Sequence, residues 1–237
     1  MKKYEFVDKA LWFPVEKILC ISDLHIGYEN SLNSAGVFLP RFQFEQILSD
    51  LKRIFEKTGK VKEVIINGDL KHEFGRISEQ EWNETLKVLR FLQENSEKIV
   101  IVKGNHDKSL EPIVRRMEIE LEDFYVRGNT CFSHGERLIP ECFDRKIERI
   151  VLGHRHPAVS IADKYKEERY KCFLVGKYRK KEVVILPSFF PLIEGSDIVN
   201  SDSDLLFIPE EKLRNFDVYV VGDKLEVLKF GKLRDLK

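Results

Sequence analysis

The sequence predicts an α/β (α+β) domain built on two sheets, and three observations predict it. The first half alternates apolar runs with amphipathic stretches in a β-α-β-α-β order, which argues for a largely parallel sheet. The second half consists of short strand-like runs with brief joints, which argues for a second, mainly antiparallel sheet. No repeat, low-complexity tract or Pro/Gly/Ser-rich linker interrupts the 237 residues, so residues 1–237 read as one domain.

The elements follow in order. "KILCISD" (17–23) is an apolar run ending in a carboxylate. Residues 40–59 place Phe44, Ile47, Leu48, Leu51, Ile54 and Phe55 at i, i+3, i+4, i+7 spacing, an amphipathic helix with Gly59 past its end. "VKEVIINGD" (61–69) is a second buried strand ending in a carboxylate. Ser78 and Glu81 fit a capping box that opens a helix running to about Asn95, with Trp82, Leu86, Leu89 and Phe91 or Leu92 inward. "KIVIVKGNHD" (98–107) is a β-branched strand that runs straight into an amide, an imidazole and a carboxylate. "NTCFSHG", "IERIVLGH", "RYKCFLVGKY", "KKEVVILPSF" and "FDVYVVGDKLEVLKF" are the strands of the second half, the last folded at a Gly222-Asp223 turn.

Composition narrows the function classes. Lys+Arg and Asp+Glu are both 40, so formal net charge is zero, and charge alone does not hold this chain on nucleic acid. Charged residues make up 34% of the chain, a composition that accompanies life at high temperature in some proteins. The four cysteines, Cys20, Cys131, Cys142 and Cys172, show no C-x-x-C spacing and read as reduced, buried thiols of an intracellular protein. With no apolar signal core and no run of about 18 apolar residues, neither export nor a membrane span is expected, and the location expected is cytoplasmic.

All six histidines, His25, His72, His106, His134, His154 and His156, stand in short polar clusters, and five of the six clusters or their neighbours follow an apolar run. Their company is Asp23, Asp69, Asn105 and glycine. Asp23 and His25 lie two apart, as do His154 and His156, so in extended backbone each pair points to one face. Imidazole and carboxylate suit Mn, Fe, Zn or similar ions without thiolate. Some seven donors exceed what one open catalytic ion needs. They suit two ions about 3.5–4 Å apart that share a carboxylate.

D-x-H, G-D-x-x-H, G-N-H-D, S-H-G and G-H-x-H, in this order from Asp23 to His156, resemble the five signatures of the calcineurin-like metallophosphoesterases. The resemblance implies a two-sheet αββα sandwich. It implies one metal on Asp23, His25 and His156, a second on Asn105, His134 and His154, and Asp69 as bridge. The metals would be two divalent transition-metal ions, Mn first, with Fe, Ni or Zn open. A bridging water would attack phosphorus in line, and His106 would protonate the leaving oxygen. Asp107 would orient His106, or instead cap the turn or the next helix.

"GDLKH" is similar to the SbcD-type repair nucleases, where a histidine such as His72 would contact the scissile phosphate or position the leaving group. Alternatively, His72 is a surface histidine beside the site. "DLHIGYENSLNSAGVFLPR" and "LPSFFPLIEG" (186–195) look like the archaeal and ligase-associated phosphoesterases related to SbcD. The implied partner is a phosphodiester, with DNA as one candidate; a small-molecule phosphatase or a cyclic or linear nucleotide phosphodiesterase is the alternative, and a non-catalytic scaffold a third. About 80 residues follow His156, enough to complete the second sheet but not read as a separate DNA-capping domain. "KYRKK" (177–181) and Arg115-Arg116 are the basic clusters, read as solvated faces or DNA contacts. Oligomeric state is open, a homodimer included.

Overall fold

The computed structural model describes residues 3–37, 39–75, 77–162, 166–198, 207–223 and 225–236. Its first sheet is made by β1 (Glu5–Val7), β2 (Ala10–Phe13), β3 (Ile18–Ile21), β4 (Val61–Asn67), β5 (Ser96–Val102) and β6 (Glu120–Glu122), in that spatial order. From β3 to β6 the pairing is parallel, as the alternating first half predicts. An antiparallel hairpin, β1–β2, extends the sheet at one edge and was not legible in the N-terminal sequence.

Helices α1 (Tyr28–Ser34), α2 (Gln43–Thr58), α3 (Glu79–Asn95) and α4 (Glu111–Met117) lie between these strands in the chain. α2 ends at Gly59, whose φ of 68° is the conformation glycine adopts most cheaply. α3 begins as the capping box requires, with the Ser78 hydroxyl accepting the Glu81 N–H at 3.1 Å. Its inward residues include Leu86, Leu89 and Leu92, while Trp82 and Phe91 are only partly buried at the edge of the core.

The second sheet contains, among the described residues, β7 (Tyr125–Arg127), β8 (Thr130–Ser133), β9 (Arg149–Leu152), β10 (Pro157–Ala162), β11 (Glu167–Tyr178), β12 (Lys181–Ile185), β13 (Ser196–Asp197), β14 (Asp217–Val221) and β15 (Val227–Lys232), with the short α5 (Glu210–Leu213) before β14. Most pairings are antiparallel, but β8, β9 and β12 run parallel to one another at the centre. That parallel patch gives the second sheet its own set of C-terminal strand ends, where α/β sheets place ligands.

Alternation along the strands divides the apolar residues into three layers. Leu19, Ile21, Val64 and Ile66 face helices α2–α4. Ile18, Cys20 and Ile65 meet Phe132, Val151, Phe173 and Val184 between the sheets. Ile150, Leu152, Val183 and Ile185 face outward with Leu213 of α5. Strands covered on both faces explain the unbroken apolar runs in the sequence. The mixed α/β, two-sheet arrangement is the sandwich that the sequence resemblance implies.

Two local expectations are corrected. Cys131 and Cys142 form a disulfide, while Cys20 and Cys172 are free and buried. Their separation of 11 residues hid the pairing, which needs the turn after β8 to return Cys142 beneath the strand, Cα to Cα at 5.3 Å. The joint between β14 and β15 is five residues long rather than a two-residue turn, closed by Gly222 N–H donating to Glu226 O at 2.9 Å. Leu225 takes a positive φ there, and residue 224 lies outside the described residues.

Candidate metal centre

The seven residues expected as ligands all follow strands: Asp23 and His25 after β3, Asp69 after β4, Asn105 after β5, His134 after β8, and His154 and His156 after β9. The two sheets therefore present their parallel C-terminal ends to a common space. Asn67, the last residue of β4, fastens them by donating its side-chain amide to Ser133 O at 3.0 Å.

The backbone at these positions is not extended, which corrects the expectation for the two i, i+2 pairs. Asp23, His25, Asp69, His154 and His156 all have φ between 47° and 64°. Such a conformation is uncommon for residues with a Cβ and persists where surrounding bonds impose it. Here the imposing bonds are visible. Beyond β3 and β4 the two loops still pair, with Asp23 N–H on Gly68 O, His25 N–H on Asp69 O and Ile26 N–H on Leu70 O, each 3.0 Å. The kinks turn Asp23 and His25 into one space. They turn His154 and His156 into two different groups.

Three clusters of donor atoms result. Asp23, His25 and His156 form one: His156 Nε2 lies 3.1 Å from Asp23 Oδ1 and 3.3 Å from His25 Nε2. Asp69, His134 and His154 form the second, with His134 Nε2 at 3.3 Å from Asp69 Oδ2 and 3.1 Å from His154 Nδ1. Asn105 Oδ1 approaches this second cluster at 3.2 Å from His134 Nε2. Asp69 Oδ2 also stands 3.7 Å from His25 Nε2, so one carboxylate oxygen faces both clusters. His25, His72 and His106 make a third cluster at the rim.

The charges fit a cation. Asp23 and Asp69 are buried, and burial alone would raise their pKa values. The surrounding histidines outweigh it, His156 and His134 foremost, and hold both carboxyls below the usual range. Burial and the neighbouring histidines depress His25 to about 3 and His154 to about 4, so both rings stand neutral, as ligands must. His134 is the exception. Burial works against its charged form, but Asp69 and Asp23 prevail and raise it to about 10. Without metal, one imidazolium supplies the positive charge that two buried carboxylates demand. In metal-free protein that contribution to stability is complete below the ordinary 6.5 and fades as pH rises through about 10.

Because His134 must lose its proton to ligate, loading Mn²⁺ at pH 7 is expected to release at least one proton per protein. Apparent affinity then strengthens as pH rises toward 10. Buffer-dependent calorimetric enthalpies measure this, and a proton count of zero contradicts the assignment of His134.

Asp107 does not touch the His106 ring. Its fully buried carboxylate accepts backbone N–H groups of Leu70 at 3.1 Å and Gly104 at 3.0 Å, with Lys71 N–H at 3.4 Å. It thereby ties the loop after β4 to the turn after β5, the capping alternative in a wider form. Burial and Asp69 raise its pKa to about 6. The His106 ring is positioned instead by the carbonyl of His72, which faces its Nδ1. His106 N–H donates to Asp69 Oδ1 at 2.9 Å, which ties the turn after β5 to the carboxylate that faces both clusters. His72 Nδ1 lies 3.4 Å from His25 Nδ1, and burial with neighbouring His106 lowers its pKa to about 4; it belongs to the site rather than to the open surface.

Several supporting residues carried no signal in the sequence. Ser22 Oγ sits 2.5 Å from Asp23 Oδ2. Gln43 of α2 donates to His25 O at 2.7 Å, and Glu81 of α3 accepts the N–H groups of His72 and Glu73 at 3.0 and 2.9 Å. The Ser78–Glu81 spacing exposed the cap, but not that Glu81 also holds the His72 loop. "LPSFFPLIEG" backs the site, with Phe189 and Phe190 N–H donating to Ser22 O and Asp23 O.

Glycines leave room for the ligands. A Cβ on Gly153 would lie 2.0 Å from Ser22 Oγ, 2.7 Å from Asp23 Oδ2 and 3.0 Å from Asn67 O. Gly153→Ala is therefore expected to cost about 1–3 kcal/mol and to weaken metal binding by displacing Asp23. Thermal unfolding with and without Mn²⁺ checks both; unchanged metal-induced stabilisation contradicts the second.

The family model for calcineurin-like phosphoesterases matches residues 16–225. The chain belongs to the calcineurin-like phosphoesterase family, and is a metallophosphoesterase with the donor groups for a dinuclear centre. Among solved structures, the fold is similar to nuclease MPE of Pseudomonas putida, at 20% identity and a TM-score of 0.67, covering 96% of this chain and 100% of that one. Weaker likenesses are to a predicted phosphoesterase of Streptococcus pneumoniae TIGR4 (15% identity, TM-score 0.36, 91% and 97% covered) and to Vps29 of Entamoeba histolytica in complex with Zn²⁺ (16%, 0.38, 90% and 98%). No curated protein matches the chain. Among the described residues, no helix is long and apolar enough to cross a membrane.

Proposed function

We propose that this chain is a two-metal phosphodiesterase of the SbcD-related type, acting on nucleic-acid phosphodiesters. The observation that carries the two-metal reading is Asp69 Oδ2, which faces His25 of one donor cluster and His134 of the other. Asp23, His25 and His156 would hold one cation, Asn105, His134 and His154 the other, and Asp69 both. When bound, the pair supplies charge for the ester oxygens and lowers the pKa of a water. Mn²⁺ suits these ligands, as do Fe, Ni and Zn, and availability selects among them.

The remaining work falls to the rim histidines. The His72 carbonyl faces His106 Nδ1, which fixes the tautomer with that nitrogen as donor and leaves Nε2 to exchange a proton with the leaving oxygen. His72 lies beside both His25 and His106, within reach of the scissile phosphate or the leaving group as the SbcD-type resemblance implies. This placement supports a diester over a monoester. The fold shared with a nuclease is in keeping with the reading.

A small-molecule phosphatase, or a cyclic or linear nucleotide phosphodiesterase, is favoured by zero net charge. It is favoured too by the position of residues 177–181, whose turn joins β11 to β12 at the end of the sheet opposite the metal centre. Arg115 and Arg116 lie exposed on α4. Digestion of end-labelled oligonucleotides by Mn²⁺-loaded protein, beside phosphate mono- and diesters, separates the readings. Cleavage of oligonucleotides is expected; hydrolysis confined to small monoesters overturns the proposal.

A further inference from the structure

Aromatic rings line the approach to the metal centre, and ester hydrolysis alone does not account for them. Phe74, two residues after His72, is 49% exposed. Its ring is nonetheless held over His106, with centroids 3.7 Å apart and planes 32° from parallel. The loop that carries it is pinned on several sides. Lys71 Nζ donates to the carbonyls of Glu73 and His106, Glu81 accepts the Glu73 N–H, and Ser109 Oγ donates to Gly75 O at 3.0 Å. Half-buried Tyr28 stands edge-on to His72, centroids 4.7 Å apart, and packs against Phe190. A loop fixed this firmly does not leave a phenyl ring in water by accident of mobility.

A ring has two faces. His106 lies against one face of Phe74, and about half of the residue stays exposed beside the group assigned to the leaving oxygen. We propose that Phe74 is a specificity-determining residue whose outer face stacks the nucleobase on the leaving-group side of the scissile phosphate, with Tyr28 bounding the slot at His72. The inference rests on the phosphodiesterase reading and extends it from the ester to its substituent. A π-face accepts any base, so the slot selects nucleotidyl esters over alkyl esters without reading sequence. It also supplies the attraction that a chain of zero net charge does not supply through phosphate contacts alone.

The test compares fluorescein-labelled pentathymidylate with an abasic strand of the same length, charge and label. Affinities are measured by anisotropy on EDTA-treated protein, and kcat/KM on Mn²⁺-loaded protein. Wild type is expected to prefer the base-bearing strand by about 5- to 100-fold. Phe74→Ala should bring that ratio near one, and Phe74→Trp should restore it. A wild-type ratio of one, or a ratio unmoved by Phe74→Ala, overturns the stacking role. Equal loss on both strands also overturns it, because that is what a ring merely sheltering His106 would give. If neither strand is hydrolysed, the phosphodiesterase reading fails, while the affinity ratio still decides whether Phe74 stacks a base.

Discussion

Asp69→Ala is expected to lose bound metal and activity together. The carboxylate is the group that faces both donor clusters, and it also accepts the His106 N–H through its other oxygen. Alanine would remove the proposed shared ligand, a buried carboxyl and the anchor of the GNHD turn at once. Metal content by elemental analysis should fall below two per chain, and kcat by about 10³-fold or more, since several kcal/mol of charge stabilisation is withdrawn. Asp69→Asn separates these effects. It keeps an acceptor for His106 N–H and nearly the same shape, so the fold should persist while the second metal is weakened. Full metal content in both variants would contradict the bridging role.

His106→Ala is expected to show the opposite pattern. His106 belongs to neither ligand cluster that contains a carboxylate, and its ring is positioned by a backbone carbonyl rather than by an acid. Two metals per chain should remain, while kcat falls about 10²- to 10⁴-fold, the usual worth of general acid catalysis. His106→Gln, which retains polar bulk beneath Phe74, should lose rate to a similar extent. A substrate whose leaving group needs no proton, such as a nitrophenyl ester, should be much less affected. Loss of metal in His106→Ala, with retention in Asp69→Ala, would reverse the two roles.

The fold was legible where burial and period coincide. "KILCISD", "VKEVIINGD" and "KIVIVKG" are unbroken apolar runs because the strands are covered on both faces, and the helices between them show a one-sided stripe. The parallel patch formed by β8, β9 and β12 was not legible, because strand direction depends on how joints cross the sheet and short runs do not record it. The disulfide likewise depends on a turn that returns Cys142 to β8, not on spacing.

Which residues gather at the site was legible, but their geometry was not. Two residues apart suggested extended strands with side chains on one face. The chain instead kinks through positive φ at Asp23, His25, His154 and His156, held there by pairing between loops distant in sequence. Asp107 illustrates the same limit. Adjacency to His106 invited a side-chain partnership, yet the carboxylate turns inward to three backbone amides that only the folded loops bring together.

The most direct test of the two-metal account is anomalous diffraction from crystals soaked in Mn²⁺. Two peaks about 3.5–4 Å apart are expected. Asp69 should lie between them, with Asp23, His25 and His156 around one and Asn105, His134 and His154 around the other. A single peak, or two peaks that do not share Asp69, would contradict it.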